Sequence, residues 1–432
     1  MKTPKHQTHT AGKRILFIPA QMGLAHLLRC QAVAIELHKR GYETHMLIEK
    51  TKQDTLPKVE GIIEHIIDVE RLLQPEVMED FTRKRFSSEQ VKHYVNLYRR
   101  VIDEIDPDFT VVDTELFGLI AAYHNKRKLA FIVNGLALPL RSGLYGEEPH
   151  KNLFVRLMRN GSSLITNRFI ETMFRDLLKK YGASQQVSIY KLLSNMSIIL
   201  PEWGQYVQLR KYYGSLNFVG PILNPLVEKK DLEFEKQIRA RAGTKPIVYV
   251  SFGGTGFSKS KLKQIVVSLA KEDYFVIVST GTITDPRSIH LEKKQGYVAT
   301  YVPGLSATSL ADCVVTHCSQ GTVVQSILQG TPIIGVPFNL DQLVHAHKVE
   351  EFGIGINAHK LKTADFLANI YDSGWLSDSA KSIPVTNIVL YVKQVAKNPI
   401  YKERLQAAQE RFGNMSNGAE LAANVIASQL NE

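Results

Sequence analysis

Short apolar runs alternate with stretches of helical periodicity along most of the chain. Arg14–Pro19 (RILFIP) is typical of a strand buried on both faces, and His26–Arg40 has the periodicity of a helix closed by Gly41. Tyr42–Ile48 is the next apolar run. This order of strand, helix and strand predicts the start of a parallel, doubly wound sheet.

The alternation continues through the first half of the chain. Asp80–Ile105 has helical periodicity, and Asn152–Met158 and Ile165–Tyr181 are amphipathic. We interpret the amphipathic pieces as helices packed on the first domain, and a variable flap over an apolar acceptor is the alternative. Further strands are predicted at Ile62–Val69, Phe109–Val112, Leu129–Val133 and Ser197–Pro201, the last of this half.

A second alternation of the same kind follows a segment rich in Gly and Pro, residues 218–230, which we predict to be a linker. The fold class is therefore α/β, with a first domain at 14–217 and a second at 231–400. Helices at 401–432 are expected to pack back on the first domain. Strands of the second domain are predicted at Ile247–Phe252, Phe275–Ser279, Tyr297–Val302, Cys313–Thr316 and Ile333–Val336.

Composition narrows the partners of this globular chain. Its 432 residues carry a formal charge of +11, which favours an anionic partner such as nucleic acid, a membrane surface or a phosphorylated small molecule. Basic residues are spread out without interleaved aromatics, so nucleic acid is not expected, whereas peripheral membrane contact through the basic first half stays open. Cys30, Cys313 and Cys318 form no CxxC pair, which favours a reducing cytoplasm. The polar start of the chain is expected to be a loose tail rather than a secretory signal.

The stretch from Tyr301 to Gln342 contains the strongest candidate binding site. After the apolar run Cys313–Thr316, residues His317–Thr322 are predicted to form a turn, and Val323–Gln329 a short helix. A Gly-Thr pair that opens a helix after a parallel strand presents backbone N–H groups and a hydroxyl to an anion. The pattern therefore predicts a phosphate site.

This stretch resembles the donor-binding signature of family 1 glycosyltransferases, the UDP-glycosyltransferase superfamily, and its bacterial macrolide and glycolipid branch in particular. The matching segments, in the family's order, are PAQMGLAH near the start, FVGP at the linker, SFGG, YVP at Tyr301, HCSQGT at His317, GTP at Gly330 and DQ at Asp341. The resemblance implies the GT-B fold, in which two doubly wound Rossmann-like domains face each other across a cleft.

The resemblance also implies the residues that bind a nucleotide sugar. An aromatic ring stacks on the base and the next backbone unit reads its edge, a histidine and a threonine hold the diphosphate, and an Asp-Gln pair contacts the sugar hydroxyls. The implied residues are Gly254, Thr255, Tyr301, Val302, His317, Ser319, Gln320, Gly321, Thr322, Gln325, Asp341 and Gln342.

Five residues depart from the family's pattern, and two of them are Gly254, where a serine is frequent, and His345, where an asparagine is common. Ser319 replaces a glycine, Arg29 replaces a common proline, and Gln325 stands where many members carry a glutamate that accepts from both ribose hydroxyls. An amide offers one acceptor and one donor group, so ribose recognition is less certain than diphosphate binding. A UDP-sugar is the expected donor, and a thymidine diphosphate sugar is the alternative.

His26 and Asp113 are the catalytic residues that the resemblance implies. An acceptor hydroxyl is a poor nucleophile, so a neutral imidazole at His26 would take its proton while Asp113 orients the ring. Without the resemblance, a single histidine after a strand is more often structural, and Asp113 would be the N-cap of the following helix. The expected transfer inverts the anomeric carbon without a covalent intermediate.

The sequence therefore predicts a hexosyltransferase of the UDP-glycosyltransferase type that acts on a hydrophobic small molecule or lipid. No metal or other cofactor is expected beside the nucleotide-sugar co-substrate, because His345 and His347 face different sides of a helix. Two alternatives stay open. One is a nucleotide-sugar epimerase on the same fold, and the other is an inactive protein that binds sugar nucleotides or lipids.

Overall fold

The chain divides into two compact units, Met1–Asn224 with Met415–Glu432, and Pro225–Asn414. The computed structural model describes residues 12–21, 23–69, 86–125, 128–135, 171–183, 187–207, 215–253, 258–360, 373–412 and 417–431. The predicted helix Asn152–Met158 lies outside the described residues. So do the first residues of Asp80–Ile105 and Ile165–Tyr181.

The first unit is built on a seven-stranded parallel sheet with the strand order β3-β2-β1-β4-β5-β6-β7. The order reverses between β1 and β4, which makes that pair the switch point of the sheet. The strands are β1 Arg14–Pro19, β2 Glu43–Glu49, β3 Ile62–Ile67, β4 Phe109–Asp113, β5 Lys128–Ile132, β6 Ser197–Leu200 and β7 Ser215–Phe218. The helices are α1 Leu24–His38, α2 Ser88–Ile105, α3 Leu116–His124, α4 171–181, α5 Ile189–Ser194 and α6 Gly204–Val207.

The second unit is built on a six-stranded parallel sheet with the order β10-β9-β8-β11-β12-β13, whose switch point lies between β8 and β11. The strands are β8 Ile247–Ser251, β9 Phe275–Ser279, β10 Gly296–Ala299, β11 Cys313–Thr316, β12 Ile333–Gly335 and β13 Gly355–Asn357. The helices are α7 Leu232–Ala242, α8 Lys259–Lys271, α9 Gly304–Leu310, α10 Gln320–Gln329, α11 Leu340–Glu351, α12 Ser373–Ser382, α13 Val385–Lys397 and α14 Ile400–Phe412.

Both sheets are apolar because helices cover both of their faces. Ile15, Leu16, Phe17 and Ile18 of β1 are all completely buried, although consecutive side chains point to opposite faces. β8 is buried along its whole length in the same way. The continuous apolar runs of the sequence therefore correspond to central strands. Among the described residues, no helix is both long and apolar enough to cross a membrane.

The predicted terminal helices, 401–432, are divided between the two units. α14 belongs to the second unit, whereas a last helix, α15 (Gly418–Asn431), packs against α1 of the first. Lys13 Nζ donates to the carbonyl of Leu430 at 2.7 Å, and Lys128 Nζ donates to that of Gln429 at 2.8 Å. These bonds and the packing on α1 hold the last helix on the first unit.

Several predicted boundaries are wrong. The last strand of the first half is β7, which pairs in parallel with Ser197–Leu200 although its residues are only partly buried. The strand predicted to end at Val302 ends at Ala299. The helix predicted at Val323–Gln329 begins at Gln320, so the end of the predicted turn is already helical.

Candidate active site

The two predicted catalytic residues lie together at the switch point of the first sheet. His26 is in the first turn of α1, which follows β1, and Asp113 is the last residue of β4. Because β1 and β4 are neighbours, with Pro19 opposite Asp113, the two side chains meet at the carboxyl ends of the strands. His26 Nδ1 lies 2.9 Å from Asp113 Oδ1. The His26 side chain is 23% exposed, and the Asp113 side chain is fully buried.

Arg29 completes a buried cluster around Asp113. Its Nε donates to Asp113 Oδ2 at 2.7 Å, and its Nη2 donates to Oδ1 at 2.5 Å. Burial alone would raise the pKa of the Asp113 carboxyl, but the charges of Arg29 and His26 outweigh burial and hold that pKa well below its usual range. Asp113 is therefore a carboxylate at any working pH. From the sequence, Arg29 was noticed only as a departure from proline.

The backbone after β4 fixes the direction of the Asp113 side chain. Thr114 adopts φ +56, and its hydroxyl donates to Asp113 Oδ1 at 3.0 Å. The N-cap of α3 is Glu115, whose carboxylate accepts from the Phe117 N–H at 3.2 Å. The interpretation of Asp113 as the N-cap is therefore wrong, and its carboxylate instead points at Arg29 and His26.

In the second unit, the start of α10 forms the predicted anion site. Ser319 is the N-cap, and Gln320, Gly321 and Thr322 form the first turn, where backbone N–H groups have no partner within the helix. The Ser319 side chain makes no capping bond, and its Oγ lies 3.1 Å from the Thr322 Oγ1. The first turn thus combines N–H groups with a pair of hydroxyls, a set suited to phosphate oxygens.

His317 lies directly after β11 and is 5% exposed. Its ring stacks on Phe338 with the ring centroids 5.6 Å apart, and its Nδ1 is 3.5 Å from the carbonyl oxygen of Ser251. Burial lowers the pKa of the imidazole to about 4, so the ring is neutral at neutral pH. Gly253 adopts φ +64, and a Cβ there would lie 3.1 Å from His317 Cε1. The glycine thus provides both the backbone turn and the space for the ring.

The predicted base-binding residues lie just before α9, and the predicted ribose-binding residue lies in the middle of α10. Tyr301 is 58% exposed, so its ring is available for stacking, while Val302 is buried. Gln325 Nε2 donates to Glu228 Oε1 at 3.3 Å. Glu228 comes from the predicted linker, which carried no signal of a site, and it brings a carboxylate to the amide of Gln325.

Asp341 and Gln342 lie in the first turn of α11 and differ in environment. The Asp341 side chain is 48% exposed, whereas Gln342 is 3% exposed. Gln342 Oε1 accepts from the Phe338 N–H at 3.0 Å, so this amide supports the preceding loop. Gly254 and Thr255 lie outside the described residues. Within the described ranges, no group of three or more His, Cys, Asp or Glu side chains is arranged to hold a metal ion.

A cavity of about 570 Å³ opens at the carboxyl ends of β9 and β10, and no motif in the sequence indicated it. One of its lining residues, Thr300, directly precedes Tyr301. Its lining residues are Gly281, Thr282, Thr284, Asp285, Pro286, Arg287 and Thr300.

Two doubly wound parallel sheets define the fold of the chain as GT-B. The family model described as "UDP-glucoronosyl and UDP-glucosyl transferase" matches residues 152–372, and the chain belongs to that family. This confirms the resemblance seen in the sequence.

Relatives and solved structures agree with that assignment. The "PGL/p-HBAD biosynthesis rhamnosyltransferase" of Mycobacterium bovis is 26% identical over 80% of this chain and 76% of its own length. The calicheamicin glycosyltransferase CalG4 has a TM-score of 0.65 at 19% identity, covering 97% of this chain and 98% of its own. UGT71G1 of Medicago truncatula, complexed with UDP-glucose, has a TM-score of 0.62 at 15% identity, covering 97% and 98%. At these identities the structural likeness concerns the fold.

Proposed function

We propose that the protein is an inverting hexosyltransferase that moves a sugar from a nucleotide diphosphate sugar, a UDP-sugar first, to a hydroxyl of a hydrophobic small molecule or lipid. The observation that carries the proposal is the 2.9 Å contact between His26 Nδ1 and Asp113 Oδ1, with the ring partly exposed. A ring held through Nδ1 leaves Nε2 to accept a proton, which is the geometry of a general base.

In the proposed reaction, His26 Nε2 takes the proton of the acceptor hydroxyl as its oxygen bonds to the anomeric carbon. The bond from that carbon to the diphosphate oxygen breaks on the opposite face, so the configuration inverts. Asp113 stabilises the imidazolium that forms. The N–H groups at the start of α10 and the Thr322 hydroxyl stabilise the negative charge of the leaving nucleotide diphosphate, and no step requires a metal.

The acceptor class rests on the relatives. The Mycobacterium bovis relative is named for rhamnosyl transfer, which moves a deoxyhexose, and for a step in glycolipid biosynthesis. A net charge of +11 would favour contact with the anionic surface on which such lipids lie, and we include that contact in the proposal. All three cysteines are buried and none forms a disulfide, which supports a cytoplasmic setting.

The test measures nucleotide release from UDP-glucose, UDP-N-acetylglucosamine and a thymidine diphosphate sugar, with and without a panel of hydrophobic alcohols, phenols and lipids. Release should depend on the acceptor and persist in EDTA, and the NMR coupling of the anomeric proton should report inversion. His26→Ala should lower transfer by about 100-fold or more while UDP still binds. His38→Ala is the matched control, because His38 lies exposed at the other end of the same helix.

Three results would contradict the proposal. Full transfer activity in His26→Ala would show that His26 is not the base. Epimer formation without an acceptor would favour the epimerase. Tight donor binding without turnover for any acceptor or donor would favour the inactive binding protein.

A further inference from the structure

Asp113 is shared between two side chains of one helix face, the guanidinium of Arg29 and the imidazole of His26. Arg29 follows His26 by three residues on α1, so both side chains point towards the end of β4. The guanidinium meets the carboxylate through both oxygens, at 2.7 and 2.5 Å, and the two side chains are 8% and 0% exposed. This is a forked, buried ion pair, in which the charge of Asp113 is largely neutralised before His26 takes part.

Arg29 also contacts the imidazole directly. Its Nη2 lies 3.1 Å from His26 Nδ1, which itself lies 2.9 Å from Asp113 Oδ1. A guanidinium N–H can only donate. His26 Nδ1 therefore either carries a proton and donates it to Asp113, or has no proton and accepts from Arg29. Only the first arrangement leaves the lone pair on Nε2.

Other elements hold Arg29 in this position. Its Nη1 donates to Asn134 Oδ1 at 3.1 Å, just after β5. Glu202, which is buried and follows β6, attracts the guanidinium electrostatically and accepts from the Gly135 N–H at 2.7 Å. Cys30 Sγ lies 3.8 Å from Asp113 Oδ2, and burial raises the pKa of that thiol, so it is neutral.

Among the described residues, the charged groups that face His26 are therefore Asp113 from β4 and Arg29 from its own helix, with Glu202 behind Arg29. A buried carboxylate alone beside an imidazole would strongly favour the imidazolium. A positive charge 3.1 Å from Nδ1 opposes it.

We propose that Arg29 is a positioning residue that sets the basicity of His26, both by neutralising Asp113 and by placing its own charge beside Nδ1, so that the imidazole stays unprotonated at lower pH than Asp113 alone would allow. This inference rests on the proposed function, in which His26 is the base. A base must be unprotonated to work, and an imidazole paired with a bare buried carboxylate would be protonated over much of the neutral range. Arg29 thereby lowers the basic strength of His26 but increases the population of its unprotonated, active form.

The test is an NMR titration of histidine-labelled protein, in which the His26 signals are assigned by their absence from His26→Ala. Arg29→Met should raise the pH midpoint of His26 by about one unit or more, and the acid limb of kcat/KM should move upward by the same amount. At a pH one unit below that new midpoint, activity relative to the alkaline plateau should fall by about tenfold. Lys39→Met is the matched control, because it removes one charge from the same helix at an exposed ion pair. Its His26 midpoint should equal that of the wild type.

A second pair of variants decides the matter if Arg29→Met does not fold. Asp113→Asn keeps Arg29 beside a neutral partner, and Asp113→Asn with Arg29→Met removes both charges. The His26 midpoint should be about one unit higher in the double variant than in Asp113→Asn. Equal midpoints in this pair, or an unchanged midpoint in Arg29→Met, would overturn the inference. The titration needs no turnover, so full activity in His26→Ala would instead reject the proposed function.

Discussion

The two units each place a histidine at the switch point of a parallel sheet, but they control it by opposite means. His26 lies where β1 and β4 diverge, and His317 lies where β8 and β11 diverge. The first is partly exposed and held by a forked pair of charges. The second is buried beside a glycine and a phenyl ring. One topology thus supports a charged pocket in one unit and a neutral pocket in the other.

This difference follows from what each histidine is proposed to do. A base must gain and lose a proton, so it needs neighbours that balance both states. A phosphate ligand needs a fixed hydrogen-bonding form, and burial ensures this by holding the pKa of His317 at about 4. The comparison predicts that the pocket around His26 depends on its charged side chains. The pocket around His317 depends instead on the room that a glycine leaves and on the exclusion of water.

The largest effect is expected from breaking the charged pocket. Asp113→Ala leaves the guanidinium of Arg29 buried without its forked partner, and it should destabilise the first unit by about 3–5 kcal/mol. Hydrogen exchange of the β1 and β4 amides measures this in one unit without assuming that the whole chain unfolds together.

The control for that variant removes both charges. Asp113→Leu with Arg29→Met replaces the ion pair by apolar side chains, and it should recover most of the lost protection. Equal loss in the single and double variants would mean that packing, rather than an uncompensated charge, explains the effect.

The second effect concerns the pH dependence of the buried pocket. Because the pKa of His317 is about 4 in the folded chain and 6.5 when unfolded, the unfolded chain binds the extra proton between these values. Acidification therefore lowers the free energy of unfolding. This loss is absent above about pH 7 and complete below about pH 4, and its upper bound is roughly 3 kcal/mol.

His317→Gln measures this loss, because a glutamine does not titrate. Between pH 7 and pH 4, hydrogen-exchange protection of β8 and β11 should fall less in the variant than in the wild type. Burial also lowers the pKa values of His345, His347 and His359 in the same unit, so only the difference between the two proteins isolates His317. Parallel pH profiles would mean that His317 is not protected from protonation.

The sequence predicted the strands that flank the two switch points, because these central strands are apolar along their whole length. The pairing of His26 with Asp113 was also predicted, but only through the resemblance. The two residues are 87 positions apart, so no local pattern could have linked them. Arg29 was visible as an unusual residue three positions after His26. Its fork to Asp113 spans 84 residues, and no local pattern records such a contact.

Local patterns failed for a similar reason elsewhere. β7 is short and only partly buried, so its sequence lacks the apolar run that revealed most of the other strands, and its pairing with β6 defines it. β13, which has only three residues, was missed as well. Gln325 donates a hydrogen bond to Glu228, which lies 97 residues away in the sequence, so no local pattern could reveal this contact. The start of α10 at Gln320 was missed because Gly321 weakens the helical pattern, although an N-terminal turn tolerates a glycine.

A smaller effect is expected at Gly253, where the buried pocket depends on space. Gly253→Ala must adopt a left-handed backbone at φ +64, which costs about 1–2 kcal/mol, and its Cβ would crowd His317 Cε1 and Nε2 at 3.1 and 3.2 Å. We expect weaker UDP binding by calorimetry and lower hydrogen-exchange protection at the end of β8. Gly321→Ala is the stability control, because a Cβ there meets no atom within 4 Å. If both variants lost equal protection, the close approach to His317 would not be the cause.

The smallest effect is expected at Ser319, the residue that departs from the family's glycine. Ser319 makes no capping bond, and its hydroxyl lies against that of Thr322, so Ser319→Gly should change stability by only a few tenths of a kcal/mol. If the pair of hydroxyls only shares a hydrogen bond, UDP affinity should change by less than about tenfold, because one neutral hydrogen bond contributes about 1 kcal/mol. A larger loss, reproduced by Ser319→Ala, would make the Ser319 hydroxyl a phosphate ligand. The neutral pocket would then bind its anion through the Ser319 hydroxyl in addition to Thr322, His317 and the helix backbone.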